Sequence, residues 1–121
     1  MAKILVVDDS PTETFRFREM LLRNGHHVLE ATNGADGVAV TLAEKPDLVL
    51  MDVVMPGMNG FQATRQITRG AATAHIPVVI VSTKDQETDR VWGRRQGAKD
   101  YLTKPVDEVQ LMQVIGKLLI S

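Results

Sequence analysis

Residues 4–13 have the sequence ILVVDDSPTE, in which a short apolar run ends on two aspartates and the signals of a helix start follow at once. The run does not alternate with polar residues, which is typical of a strand buried on both faces of a parallel sheet. Ser10, Pro11 and Glu13 fit a capping box, with serine as the N-cap and glutamate at the third helical position. The stretch therefore predicts a strand that leads directly into a helix.

The same unit recurs along the chain, because four more short apolar runs are each followed by an amphipathic segment. The predicted strands are Ile4–Val7, Val28–Ala31, Leu48–Met51, Val78–Val81 and Tyr101-Leu102. The predicted helices are a first one from Ser10 to the stop at Asn24-Gly25, then Gly34–Glu44, Asn59–Arg69, about Asp85–Gln96, and Val106–Ile120. The apolar positions expected to face the core are Phe17, Met20 and Leu21 in the first helix, Val38 and Leu42 in the second, and Leu111, Ile115 and Leu118 in the last. Five such units predict an α/β fold with a mostly parallel sheet and helices on both faces.

Length and composition narrow the class of protein. A chain of 121 residues with 44% hydrophobic residues suits one domain, and the absence of cysteine excludes disulfides and cysteine-ligated metals. The net charge of -1 gives no electrostatic reason to expect nucleic-acid binding. No apolar run approaches the ~20 residues of a membrane helix, and the one at the N-terminus is too short for a signal peptide. We expect a soluble cytoplasmic protein with no nucleic-acid or membrane partner.

Polar side chains stand where four of the predicted strands end: Asp8 and Asp9, Asp52, Ser82, and Lys104. In an open α/β sheet, ligands bind at this carboxyl edge of the strands. Three clustered carboxylates raise one another's pKa values unless a cation neutralises them, and all-oxygen ligands suit Mg²⁺. The pattern therefore predicts a magnesium site formed by the three aspartates.

Each of these residues alone has a simpler interpretation, since an aspartate after a strand is often a helix cap or a turn residue. That interpretation fails for Asp8 and Asp9 because Ser10 already serves as the cap. It also fails for Asp52, because a loop and not a helix follows it. Lys104 alone would be read as a solvated charge, so the functional interpretation depends on the group as a whole.

Four motifs closely resemble those of CheY-like receiver domains of two-component response regulators. They are VDDS at 7–10, LMDVVMPGMNG at 50–60, VSTK at 81–84 and DYLTKP at 100–105. The resemblance covers essentially the whole chain, and its detail is similar to the stand-alone regulators of pilus chemosensory systems that control twitching motility. It implies a flavodoxin-like fold with strand order 2-1-3-4-5, and a single receiver domain over residues 1–121 with no output domain.

The resemblance also implies a role for each matching residue. Asp52 would be the phosphoacceptor, a carboxylate nucleophile toward the phosphorus of a phosphohistidine. Lys104 would bind a phosphoryl oxygen, and a cis bond before Pro105 would aim it. The implied magnesium ligands are Asp9 and Asp52 directly, Asp8 through water, and the backbone carbonyl of Val54.

The implied switch connects Ser82 with Tyr101. After phosphorylation the Ser82 hydroxyl would bond a phosphoryl oxygen, and its loop would move inward and leave room for Tyr101 to turn in. This would change the face made by the fourth helix, fifth strand and fifth helix, where a downstream target protein would bind. Val54 and Lys84 occupy the positions where fast chemotaxis relatives carry polar or acidic groups that position water, so we expect slow autodephosphorylation.

The implied phosphodonor is a histidine kinase or histidine phosphotransfer domain of the CheA-like kind. Phosphodonor domains dock beside the first helix in relatives, so its residues Phe15 and Leu22, which lie off the core stripe, are candidates for that contact and otherwise ordinary exposed apolar residues. The output would be a protein contact, or the protein would drain phosphate from a shared kinase. The sequence leaves these two outputs open.

Other classes of protein fit less well. A magnesium-dependent phosphatase of the haloacid dehalogenase type also uses an aspartate nucleophile, but it needs Asp-x-Asp and a cap domain. Nucleotide-binding motifs of the Gly-x-Gly-x-x-Gly or Gly-Lys-Ser/Thr type are absent from the sequence. A receiver-shaped protein that never takes phosphate is disfavoured by the intact Asp9, Asp52 and Lys104. We therefore expect a phosphoaccepting signalling protein and not an enzyme with a separate substrate.

Overall fold

The computed structural model of the chain describes residues 1–119, which form five strands and five helices in strict alternation. The strands are β1 (Lys3–Val7), β2 (His27–Ala31), β3 (Leu48–Met51), β4 (Val78–Ser82) and β5 (Asp100–Thr103). The helices are α1 (Pro11–Arg23), α2 (Gly34–Glu44), α3 (Gly60–Arg69), α4 (Glu87–Arg95) and α5 (Glu108–Leu119). Each predicted strand is present, and its ends differ from the prediction by one residue at most.

All strands pair in parallel, in the order β2-β1-β3-β4-β5. The α/β class and the 2-1-3-4-5 order are thus confirmed. β1, β3 and β4 lie in the centre and are almost entirely buried, which explains their unbroken apolar sequences. The chain order changes direction between β1 and β3, so their carboxyl ends border the crevice where this type of sheet binds ligands.

Apolar layers cover the two faces of the sheet. On one face, α1 and α5 pack Phe17, Leu21, Leu111 and Ile115 against the alternate side chains of the strands. On the other face, Ala63 and Ile67 of α3 pack against the opposite set. The predicted core stripes of the first and last helices are confirmed, with Met20 buried and Leu118 partly buried.

The capping box predicted for α1 is wrong in one half. The Ser10 hydroxyl accepts the Glu13 backbone N–H at 3.3 Å, as expected of an N-cap. The Ser10 N–H, however, donates to Asp8 Oδ1 at 2.9 Å and not to the Glu13 carboxylate. Asp8 thus replaces Glu13 as the acceptor, which leaves the Glu13 side chain available for another contact.

The helix α2 has the predicted bounds, and its predicted core face is confirmed at Val38, which is partly buried against the core, but is wrong at Leu42. Leu42 is 54% exposed, and the buried residues are Gly34, Gly37 and Thr41. A Cβ added to Gly37 would lie 2.9 Å from both Cγ atoms of Val7, so the missing side chain lets the helix backbone approach β1 closely. A close glycine contact, which gives no apolar pattern, therefore decides the orientation of this helix.

The helix α5 begins two residues later than predicted. Val106 is fully buried in the preceding loop, and the Asp107 carboxylate accepts the Gln110 N–H at 3.1 Å, as a helix cap does. The predicted last residue, Ile120, lies outside the described residues. Over residues 1–119, no helix is both long and apolar enough to cross a membrane.

Candidate functional site

Three aspartates meet at the carboxyl edge of the sheet. Asp8 and Asp9 follow β1 and Asp52 follows β3, and the pairing of Val7 with Met51 brings these ends side by side. Each aspartate offers a carboxylate oxygen, and the three oxygens lie within 4.8 Å of one another. Asp8 and Asp52 are 2% and 8% exposed, whereas Asp9 is exposed. The structure thus brings the predicted acidic cluster together at the mouth of the crevice.

The loop after β3 is held tightly around Asp52. The Gly60 N–H donates to Val53 O at 2.9 Å, and a Cβ added to Gly60 would lie 1.9 Å from the Asp52 carbonyl oxygen. Gly57 has φ +72°, a turn conformation that glycine adopts without strain. Val54, the predicted carbonyl ligand, lies in this loop with its side chain exposed. Two glycines therefore fix the backbone that carries Asp52 and Val54.

Lys104 places its ammonium among the carboxylates. Its Nζ lies 2.8 Å from Asp8 Oδ2, 3.4 Å from Asp52 Oδ1 and 3.7 Å from Glu13 Oε1. The peptide bond between Lys104 and Pro105 is cis. Burial by itself opposes the charged form, but the hydrogen bond to Asp8 and the charge of Asp52 outweigh it and raise the pKa of Lys104. Lys104 is therefore a fixed positive charge beside Asp52.

The surroundings of Asp52 disfavour its ionised form. Burial, and next the negative charge of Asp8, raise the pKa of Asp52 to about 6, although Lys104 partly offsets both. The Lys104 ammonium alone thus does not neutralise the negative charge of these carboxylates. A cation bound by oxygen ligands would complete the neutralisation, and carboxylates grouped in this way suit Mg²⁺.

Ser82 is the last residue of β4, and Tyr101 lies in the neighbouring strand β5. Ser82 is fully buried, and its Oγ accepts the Lys84 N–H at 3.1 Å. The Tyr101 ring is buried, and its hydroxyl donates to the Lys84 carbonyl at 2.6 Å. The Tyr101 side chain therefore already points into the protein. Ser82 and Tyr101 both bind the backbone of the same loop residue, Lys84.

Two contacts hold the Tyr101 ring against α4. A Cβ added to Gly93 would lie 3.2 Å from the ring, so glycine is what leaves space for it. The Arg90 guanidinium lies 5.3 Å from the ring centroid, in the range of a cation–π contact. Burial raises the pKa of the Tyr101 hydroxyl above its usual value, so it stays a hydrogen-bond donor.

Glu13 is the site residue that the sequence interpretation missed. Its position in the first turn matches a capping box, which predicts that its carboxylate binds the N–H at the helix start. The structure instead places Glu13 Oε1 near Lys104, because Asp8 accepts the Ser10 N–H in its place. The position of Glu13 one helical turn after the aspartate pair was the signal that could have indicated this contact.

A family model described as the response regulator receiver domain matches residues 4–116. Protein PilH of Pseudomonas aeruginosa is 66% identical over 119 residues, which cover 98% of both chains. Response regulator PleD of Caulobacter vibrioides is 38% identical over 117 residues, but this chain covers only 26% of that protein.

Solved structures with the same fold include chemotaxis protein CheY4 of Vibrio cholerae, with a TM-score of 0.92 and 27% identity over 98% of this chain and 99% of that one. Another is the receiver domain of a sensor histidine kinase from Pseudomonas aeruginosa, described with a magnesium ion coordinated in its active site cleft. It has a TM-score of 0.92 and 27% identity over 99% of this chain and 98% of that one.

Proposed function

This chain belongs to the response regulator receiver domain family, and on that basis we propose that it is a signalling module that accepts a phosphoryl group on Asp52. The observation that carries the proposal is the position of Asp52, which shares its crevice with Asp8, Asp9 and the ammonium of Lys104. A nucleophilic carboxylate, a cation site and a fixed positive charge are what phosphoryl transfer needs, since its catalysis is mostly positioning and charge neutralisation.

In the proposed reaction, an Asp52 carboxylate oxygen attacks the phosphorus of a phosphohistidine. The new O–P bond forms an acyl phosphate while the N–P bond breaks and the histidine nitrogen leaves with its electron pair. The Lys104 ammonium then binds a phosphoryl oxygen, which its distance of 3.4 Å from Asp52 Oδ1 supports. The donor is a histidine kinase or histidine phosphotransfer domain.

Mg²⁺ is the proposed cofactor, and it would neutralise charge on the phosphoryl group during transfer. Asp9 and Asp52 would hold it directly, together with the Val54 carbonyl. Asp8 would act through water, because its two oxygens already accept hydrogen bonds from the Ser10 N–H and Lys104 Nζ. These donors are all oxygens, as Mg²⁺ prefers.

The proposed switch uses the loop that contains Lys84. Ser82 Oγ would exchange its bond with the Lys84 N–H for a bond to a phosphoryl oxygen, and Tyr101 would follow because its hydroxyl binds the same residue. The output face is formed by α4, β5 and α5, where Val91 and Trp92 are half exposed. A downstream protein would read the phosphorylated state there.

A role in pilus-linked motility signalling is the pathway we propose, from the 66% identity to Protein PilH over nearly its whole length. The phosphodonor would dock at α1, where Phe15 and Leu22 are exposed as expected. Its phosphoryl group would then either switch the output face or be drained from the shared kinase. We propose a cytoplasmic location, where such a phosphodonor and target would meet this chain.

Intact mass after incubation with Mg²⁺ and acetyl phosphate tests the phosphoacceptor proposal. We expect one phosphoryl group on the wild-type chain and none on Asp52→Ala. Asp47→Asn, at the opposite end of β3, is the control and should be phosphorylated like the wild type. Phosphorylation of Asp52→Ala, or none of the wild type, would overturn the proposal.

Capture of partner proteins on the two forms separates an active output from a phosphate sink. An active regulator retains a partner that binds the phosphorylated form more tightly than the unphosphorylated form. A sink retains the phosphodonor but no partner that distinguishes the two forms.

A further inference from the structure

Two charged side chains, one turn apart on α1, contact the loop that carries Lys104. Glu13 Oε1 lies 3.7 Å from Lys104 Nζ, and Arg16 Nη2 donates to the Val106 carbonyl at 2.6 Å. Residues at i and i+3 of a helix share one face, so both side chains extend from α1 toward the same loop. They hold it on either side of Pro105.

Among the residues that the structure describes, Lys104 is the only cation within 4.0 Å of the Glu13 carboxylate. Within residues 1–119, the Glu13 side chain is 29% exposed, but its Oε1 atom is buried and accepts no hydrogen bond. A buried carboxylate oxygen is unfavourable unless a positive charge or a donor offsets it. The Ser10 N–H, which a capping box would supply, is bound to Asp8. Lys104 is therefore the charge that retains Glu13 in this position.

Glu13 differs from the two other carboxylates around Lys104. Asp8 and Asp52 belong to the oxygen cluster that suits a cation, and Asp52 would also carry the phosphoryl group. During the proposed reaction, their negative charge would therefore also interact with the cation and the phosphoryl group, and not with Lys104 alone. Glu13 lies outside that cluster, so its charge stays available to Lys104 at every stage.

We propose that Glu13 and Arg16 are positioning residues for Lys104, which keep its ammonium directed at Asp52. Glu13 acts on the ammonium itself, and Arg16 acts on the backbone that carries it. The inference rests on the proposed phosphoacceptor role of Asp52. It connects the rate of phosphorylation to the helix where a phosphodonor would dock.

A double-mutant cycle tests whether Glu13 acts through Lys104. The rate of phosphorylation by acetyl phosphate at saturating Mg²⁺ is followed by intact mass in four chains: wild type, Glu13→Gln, Lys104→Ala and the double variant. We expect Glu13→Gln to lower the rate at saturating donor about fivefold, with little change in the half-saturating donor concentration. In the Lys104→Ala background, Glu13→Gln should have no further effect.

Glu19→Gln is the matched control, because it removes the same charge from an exposed position on the same helix. Its rate should equal that of the wild type. The Glu13→Gln effect should also persist between about 50 mM and about 500 mM KCl, since a local contact is screened less than a distant charge. A faster Glu13→Gln variant, or equal slowing by Glu19→Gln, would show that Glu13 is only a general negative charge and overturn the proposal.

The Arg16→Met variant is a second, independent test. It replaces the first test if circular dichroism shows that Glu13→Gln is misfolded. We expect its rate to fall at least about twofold in the wild-type background and not at all with Lys104→Ala. Arg18→Met is its control, because it removes another α1 arginine that pairs with Glu30. Slowing that is equal in both Lys104 backgrounds contradicts the inference. A wild-type chain that takes no phosphate contradicts the proposed function instead.

Discussion

The surroundings of Asp52 that suit it to the proposed phosphoacceptor role also destabilise its ionised form. Burial and Asp8 raise the pKa of Asp52 to about 6, against 3.8 for an ordinary aspartate. Between these values the folded chain binds more protons than the unfolded chain. The free energy of unfolding therefore falls as the pH rises through this window, and the deficit is complete above pH 6.

Asp52→Asn should accordingly stabilise the metal-free protein. At about pH 7.5, in the presence of a chelator, we expect its free energy of unfolding to exceed that of the wild type by about 1–2 kcal/mol, a value reduced because the crevice opens to solvent. The difference should disappear near pH 4, where the wild-type carboxyl is protonated. Urea denaturation at both pH values measures it, and a difference that does not depend on pH would contradict the argument.

Val54 should determine how long the phosphate persists. Its apolar side chain has no group to hold a hydrolytic water, and it stands exposed two residues after the proposed acceptor. We expect Val54→Asn to accelerate loss of phosphate about threefold to tenfold, because an amide can orient water. Decay of the phosphorylated mass after donor removal measures the rate. Val91→Asn, on α4, should decay like the wild type, and an unchanged rate for Val54→Asn would refute the assignment.

The segments that join strands to helices depend on close backbone contacts more than on apolar patterns. Gly60 illustrates this at the start of α3, because a Cβ there would lie 1.9 Å from the carbonyl oxygen of Asp52. No rotation of a side chain relieves such a contact, so the backbone of the loop must move.

Gly60→Ala should therefore damage both the fold and the site. We expect a loss of at least about 3 kcal/mol in the free energy of unfolding, with slower phosphorylation of the fraction that remains folded. Gly116→Ala, inside α5 where nothing lies within 4 Å of an added Cβ, is the control. It should gain about 0.5–1 kcal/mol, since alanine favours a helix over glycine. Equal stabilities of the two variants would disprove the role of the close contact.

How far the sequence predicts these elements depends on the kind of interaction that fixes them. Apolar runs predicted all five strands, and the residues that follow them predicted the cluster of Asp8, Asp9 and Asp52. The exposure of Leu42 in α2 was not predicted because the helix packs through Gly37, whose lack of a side chain leaves no periodic signal. Glu13 was missed because Asp8 accepts the Ser10 N–H in its place, and because its partner Lys104 lies far along the chain.

At the scale of the whole molecule, Ser82 and Tyr101 form one route between the carboxyl edge of the sheet and α4. Ser82 and Tyr101 both bind Lys84, and the Tyr101 ring lies against Gly93 and Arg90 of α4. Trp92, the single tryptophan of the chain, is the neighbour of Gly93 and is 48% exposed. Its fluorescence should therefore report a change that starts at Asp52.

Phosphorylation should change the Trp92 emission of the wild-type chain but not that of Ser82→Ala. The variant should still take one phosphoryl group, because Ser82 is not the nucleophile, but it lacks the hydroxyl that would recruit the loop. Intact mass and emission are recorded on the same samples after addition of Mg²⁺ and acetyl phosphate. Thr83→Ala serves as the control and should respond as the wild type does. Equal emission changes in Ser82→Ala and the wild type would eliminate this route.

The order of the strands has a consequence for biosynthesis. The strand β1 precedes the other four in the chain and lies inside the finished sheet, and Asp8 after it pairs with an ammonium 96 residues later. A nascent chain that has left the ribosome only as far as β4 holds the carboxylates without the ammonium. The proposed phosphoacceptor site is therefore complete only once β5 and Lys104 have been made, so a product truncated before β5 would lack the positive charge beside Asp52.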